Sequence, residues 1–297
     1  MNIIKFGLPG CFVLASLLPM VVMEAGGAVE KKVLVVTTTT GFRHSSIPTA
    51  EVVLGQLAEK TKTFTVEYAR VEPNDPEFKD KDGKTDKAKV EAAIAKVLAE
   101  KMSPEALKQY DAVIFANTTG NLPIPDKEAF LNWIKSGKGF VGMHSATDTL
   151  HEYAPFIDMI GGEFKTHGPQ VEVSAINQDA ECPACKHLPG TWTLYDEIYQ
   201  FKNFDASKVT GLLTLDKHPN DKTPGNYQIA WAKNYGNGRV FYTSLGHRED
   251  IWDPNTPANF KRMNSKEIAE AYQKHILGGI RWALGLEAWT PKPLKPE

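Results

Sequence analysis

The sequence predicts an α/β fold, a mostly parallel sheet with helices on both faces. Three observations carry that expectation. Short β-branched or wholly apolar runs recur at residues 32–38, 64–69, 112–116 and 139–143, the composition of strands buried on both faces. Segments with helical spacing separate them, too long for hairpins and of the right length for crossovers. No repeat, low-complexity tract or long linker divides the chain.

The elements follow in order. The run at residues 32–38 breaks at Gly41, and Pro48 suits the first turn of a helix reaching about residue 60. Residues 72–87 are charged and carry Pro73, Pro76 and Gly83, which describes a solvated loop. Asp80, Asp82 and Asp86 within it depart from calcium-loop spacing and are read as solvation. A helix over residues 87–102 precedes the strand at 112–116. Pro125-Asp-Lys-Glu opens the next helix, with Phe130, Trp133 and Ile134 inward and Gly137 closing it. Beyond residue 165 the pattern changes to late strands joined partly by hairpins, at 171–176, 211–215, 229–231 and, after Gly236-Asn-Gly, 239–245. A last helix over residues 265–284 aligns Ile268, Tyr272, Ile276, Gly279 and Ala283. The expected domain spans residues 29–287, with a Pro-rich tail at 288–297.

Residues 6–23 carry no charge, follow Lys5 and end in the small residues Ala25-Gly-Gly-Ala28. That is the layout of a secretory signal over residues 1–28 and implies a secreted or periplasmic protein. A retained membrane anchor is the alternative, but Pro9, Gly10 and Pro19 interrupt the run, and no span is expected in the mature chain. Formal net charge is −2, which gives no basic face for nucleic acid. Cys11 would leave with the signal. Cys182 and Cys185, in a Pro-rich loop of an exported chain, are expected to form a disulfide; unpaired thiols, half a zinc site or a redox pair are the alternatives.

Ligands of open α/β sheets collect at the carboxyl ends of strands. His44 follows the first strand, His144 the fourth and His247 a late one, while His167 lies in a loop region after the fourth unit. Imidazoles titrate near neutral pH and ligate zinc or related divalent metals, so His44, His144 and His247 form the candidate metal set. Glu249 is placed to fix the tautomer of His247. Arg43, His44, Asp148, His167 and Arg248 are candidate ligand-binding groups, and Trp252 and Tyr199 candidate stacking surfaces, with core packing the alternative for both rings. Nothing points to a nucleotide cofactor.

Five blocks add a resemblance. Gly41-Phe-Arg-His44, Gly142-Met-His-Ser-Ala-Thr-Asp-Thr149, Gly161-Gly-Glu-Phe…His167, Asp196-Glu-Ile-Tyr-Gln-Phe201 and Gly238-Arg-Val-Phe-Tyr-Thr-Ser-Leu-Gly-His247 resemble, in order, the signature blocks of ThuA-like (trehalose-utilisation) proteins. The resemblance implies a flavodoxin-like sheet similar to class I glutamine amidotransferases. In those enzymes a Cys occupies the sharp turn after a central strand, served by a later His-x-Glu pair. Here His144 stands at that turn and His247-Arg-Glu249 at the later position, so thiolate acyl transfer is excluded. Ser145 is a conceivable substitute nucleophile, and capping a helix is the plainer role. His144, His247 and Glu249 become the expected catalytic groups.

The resemblance further implies a small sugar ligand, a trehalose-type disaccharide or its keto form, handled by acid–base or metal-assisted chemistry. A non-catalytic carbohydrate-binding protein on the same fold is the alternative, and a homo-oligomer is compatible with either. One outcome follows from the N-terminal pattern. Protein recovered from its native host should begin between residues 24 and 31 on N-terminal sequencing; an intact Met1 would overturn the export reading.

Overall fold

The computed structural model describes residues 1–3, 30–151 and 153–292. Almost all of the expected signal, and the end of the Pro-rich tail, lie outside the described residues. The parallel half is built from β1 (Lys31–Val36), β2 (Phe64–Ala69), β3 (Ala112–Ala116) and β4 (Gly139–Met143). It is joined by β11 (Gly238–Thr243), which pairs with β4 in parallel. An antiparallel half follows from β6 (Val171–Asn177), β7 (Thr191–Asp196), β9 (Thr210–Lys217) and β10 (Pro224–Tyr235). Together they make a nine-stranded sheet in the order β2-β1-β3-β4-β11-β10-β9-β6-β7. A separate two-stranded ribbon pairs β5 (Glu163–His167) with β8 (Tyr199–Lys202).

Alternation along β1 shows why both sheet faces are dry. Val33 and Val35 belong to one core cluster and Leu34 and Val36 to the other, all fully buried. The first cluster packs under α1 (Ile47–Thr61) and α7 (Lys266–Ala283); the second packs under α2 (Lys87–Met102), α4 (Lys127–Lys135) and α5 (Ala154–Ile160). Short helices α3 (Pro104–Leu107) and α6 (Glu249–Trp252) complete the set. Asp86, Asp126 and Ser265 cap α2, α4 and α7 by accepting the amides of Lys89, Ala129 and Ile268. Gly279 lets α7 lie directly on β11: a Cβ there would meet the Phe241 ring at 2.4 Å. None of the described helices is long and apolar enough to cross a membrane.

The expected helices and parallel strands appear close to their predicted positions. The sequence reading missed β5, β7, β8, α5 and the short helices α3 and α6. Lys165, Thr166 and His167 are exposed on β5, so that strand lacks the apolar run that marks the others.

The expected disulfide is corrected. Cys182 and Cys185 are buried free thiols. Their turn is held instead by hydrogen bonds: Asp179 accepts the amide of Cys182 at 3.1 Å, and the Cys182 carbonyl accepts those of Cys185 and Lys186 at 2.8 Å each. His275 Nδ1 donates to the Ala184 carbonyl at 2.8 Å, tying the turn to α7. A hydrogen bond from the partner thiol, then burial, pushes Cys185 well above the ordinary thiol range, so it is a poor nucleophile. Neither thiol should react with a thiol reagent in the native protein, and both should react on unfolding without reductant. An unreduced mass lighter by two hydrogens would overturn this.

Candidate metal centre

Three strand ends and one strand link meet at the carboxyl edge of the parallel half-sheet. The chain leaving β1 brings in His44. His144 follows β4 directly and adopts a left-handed backbone (φ 48°), a conformation that costs a β-carbon-bearing residue of order 1–3 kcal/mol. Its surroundings hold it there. The ring is fully buried, Nδ1 donates to the Ser244 carbonyl at 2.9 Å, and the backbone carbonyl accepts from the Tyr242 hydroxyl at 2.7 Å. Gly246 turns the chain after β11 (φ 126°), placing His247 opposite His144.

The fourth member is Glu197, in the link between β7 and β8. Its placement follows from strand parity. Four successive antiparallel pairings separate β11 from β7, so β7 runs in the same direction as β11 and ends at the same edge. One ligand atom from each of His44, His144, Glu197 and His247 lies within 4.8 Å of all the others.

The closest separations are those of a ligand shell. His144 Nε2 is 3.2 Å from His44 Nε2 and 3.3 Å from His247 Nδ1. Glu197 Oε1 is 3.3 Å from His247 Nδ1 and 3.8 Å from His144 Nε2. A tetrahedron with metal–ligand bonds of about 2.0–2.1 Å has edges of about 3.3 Å. The outer atoms agree. Ser244 O accepts from His144 Nδ1, and Ser145 Oγ lies 3.3 Å from His44 Nδ1, so both rings can turn lone pairs inward. These four residues therefore fit a divalent metal ion.

Electrostatics favour a cation over protons. Burial, then the positive charges of His247 and His167, lowers His44 to about 3. Burial with His44 and His247 nearby holds His144 well below the ordinary imidazole value. For His247 burial also lowers the value, but the Glu197 carboxylate outweighs it and the net shift is upward.

The remaining predicted residues separate into three groups. His167 joins the centre, its Nδ1 3.0 Å from Glu197 Oε2 with the side chain 43% exposed. Tyr199 also stands beside it, with its ring centroid 4.5 Å from that of His144. Asp148 lies in a neighbouring cluster, 2.7 Å from His151 Nε2, whose Nδ1 is 2.8 Å from Glu163. Arg43 and Arg248 are engaged in holding the fold. Arg43 donates to the Thr37 carbonyl and pairs with Glu72 at 2.9 Å, while Arg248 pairs with Asp250 at 2.8 Å and donates to Gln170 and the Lys261 carbonyl.

Two expected roles are corrected. Trp252 is fully buried, donates to the Gly246 carbonyl and packs on Tyr272, so it offers no face to a ligand. Glu249 opens α6 and acts on His247 by charge at longer range; the carboxylate in contact with His247 is that of Glu197. Ser145 lies inside the turn that follows β4 and caps no helix; its buried hydroxyl lies 3.3 Å from His44 Nδ1.

Sequence reasoning missed Glu197, Phe42 and Asp196. Glu197 stands in the Asp196-Glu-Ile-Tyr block, and its carboxylate beside an apolar strand end was the available signal. Phe42 is 68% exposed, and its ring centroid is 4.9 Å from that of His44.

No curated protein matches the chain. Among solved structures it is similar to a protein from Bacteroides uniformis ATCC 8492 described as ThuA-like, at 20% identity over 88% of this chain and 94% of that one, TM-score 0.61. A protein from Parabacteroides merdae ATCC 43184, also described as ThuA-like, gives 20% identity over 86% of this chain and 90% of that one, TM-score 0.61. At that identity both show a common fold. The family model ThuA, described as trehalose utilisation, matches residues 32–283, which is most of the chain, and the protein belongs to the ThuA family.

Proposed function

We propose that the protein is a metal-dependent enzyme acting on a trehalose-type disaccharide or its keto derivative outside the cytoplasm. The observation that carries this reading is the His44–His144–His247–Glu197 constellation, whose spacing suits zinc or a similar divalent ion. Family membership supports the sugar, and the apolar N-terminal run supports the location. When bound, such an ion polarises a carbonyl or hydroxyl oxygen of the ligand.

His167 is the proton-transfer group of this proposal. Both acceptors near its Nδ1, Glu197 Oε2 and the Gly168 carbonyl, lie at 3.0 Å, so that nitrogen keeps its hydrogen and Nε2 is the basic atom. On a half-exposed ring, Nε2 can take a proton from a sugar carbon or hydroxyl and return it. Glu197 holds the His167 ring through one oxygen and contributes its other to the ligand shell. Tyr199, against His144, walls the buried side and excludes water from it. The exposed Phe42 ring covers the mouth beside His44 and offers an apolar face to the C–H side of a pyranose.

The protein should take up about one divalent ion per chain, measured by elemental analysis after reconstitution and desalting. His247→Ala and Glu197→Gln each remove a ligand and should weaken metal affinity by at least the roughly 10–100-fold that loss of an outer-shell partner costs. His167→Ala should keep the ion and lose about 10²–10⁴ in turnover of the disaccharide or its keto form. Because His247 binds its proton more tightly than a free imidazole, protons should compete for that ligand already above the ordinary imidazole value, and metal affinity should fall as pH is lowered through that range. Equal metal affinity in wild type and His247→Ala would sink the proposal.

Phe42→Ala should weaken disaccharide binding about three- to tenfold by calorimetry, with melting temperature and metal content unchanged. A lowered melting temperature with unaltered binding would assign the ring to folding instead.

A further inference from the structure

A crevice of about 400 Å³ opens between the β5–β8 ribbon and the β9–β10 hairpin. It shares a wall with the metal centre: Tyr199 lines the crevice and also packs its ring on His144. The volume falls within the range of small-molecule sites and accommodates a single sugar ring.

Its chemistry is that of a polyhydroxylated ligand. Tyr227 supplies an aromatic face, steadied edge-on by His218 at 5.4 Å between centroids. Phe201 and Phe204 form a rigid floor, each backed by Trp231, at 4.9 and 5.1 Å. Amides stand between the rings. The Asn226 side-chain oxygen accepts from Thr214 at 2.6 Å and from Gln228 at 3.0 Å, which leaves its nitrogen as the group free to donate. Gln228 is 6% exposed and its Oε1 has no partner among the described residues, an acceptor held out of water without a donor. Gln200 is engaged by nothing beyond the carbonyl of Tyr199 among the described residues. Among the described residues no carboxylate lines the crevice, whereas Lys165 and His218 do, so hydroxyl oxygens meet donors there.

We propose that this crevice is a second pyranose subsite. It seats the ring of a disaccharide that lies away from the histidines. The assignment rests on the sugar reading of the metal centre, and it makes the protein selective for disaccharides over monosaccharides. Aromatic contact with one ring face, combined with amide bonds to its hydroxyls, is how a neutral sugar is held.

The test is calorimetric titration of the metal-loaded full chain with trehalose and with glucose. Wild type should bind trehalose at least about tenfold tighter than glucose. Tyr227→Ala and Gln200→Ala should each cost trehalose about three- to tenfold and leave glucose affinity and metal content unchanged. Gln200→Ala removes a half-buried side chain bonded only to the carbonyl of Tyr199 among the described residues, so it keeps the test sound if Tyr227→Ala fails to fold. Trehalose affinity unaltered in Gln200→Ala and in folded Tyr227→Ala would overturn the subsite and leave the metal-centre reading standing. Failure of wild type to bind either sugar would overturn the sugar reading itself, and the subsite with it.

Discussion

Asp196 is a fully buried carboxylate at the end of β7, and the geometry of the metal centre depends on where it is anchored. Its Oδ2 accepts the amides of Gly246 at 2.7 Å and His247 at 3.4 Å, and its Oδ1 accepts that of Arg248 at 3.2 Å. Burial raises its pKa to about 6, opposed by those amides and by His247, so at neutral pH it remains largely an anion among donors. Such a group is costly to leave unpaired, and the loop after β11 cannot move without unpairing it. Because Glu197 is the next residue, the bond that fixes the His247 loop also fixes the carboxylate facing His247.

The other side of the same loop is clamped through one oxygen. The Gly246 carbonyl accepts from Ser46 Oγ at 3.1 Å, Asn117 Nδ2 at 2.8 Å and Trp252 Nε1 at 2.8 Å. Ser46 lies two residues from His44, and Asn117 directly follows β3, so the loops after β1, β3 and β11 are tied at a single point. Asn117 itself has a left-handed backbone (φ 56°), as His144 does, and both are buried. Strain of this kind persists where surrounding contacts over-determine it, and a preorganised ligand shell is a physical reason to keep it. The rigidity that orients three imidazoles is thus supplied by neutral and anionic groups behind them.

Much of the fold was legible because its strands are apolar on both faces. Val33 to Val36 and Ala112 to Ala116 have no polar position to misplace, and the helices between them carry Asp or Ser caps. The ribbon was not legible, because β5 has three exposed residues in five and β8 is four residues long. Histidines past strand ends announced part of the site, since position after a parallel strand already specifies an edge of the sheet. Glu249 attracted attention through its spacing from His247, yet sequence spacing says nothing about a carboxylate that arrives from another strand. Trp252 likewise showed a ring and not the direction it faces.

Sequence alone determined the α/β class, the family, the parallel half-sheet and the edge at which His44, His144 and His247 gather, because these follow from local apolar patterning and recognisable blocks. Tertiary structure decided which carboxylate completes the shell, which aromatic rings face a ligand, and that Cys182 and Cys185 stand as free thiols. Those outcomes depend on how many antiparallel pairings separate β11 from β7, and on which side chains the assembled sheet buries. Pairing parity and burial are properties of the assembled chain, and no window of sequence contains them.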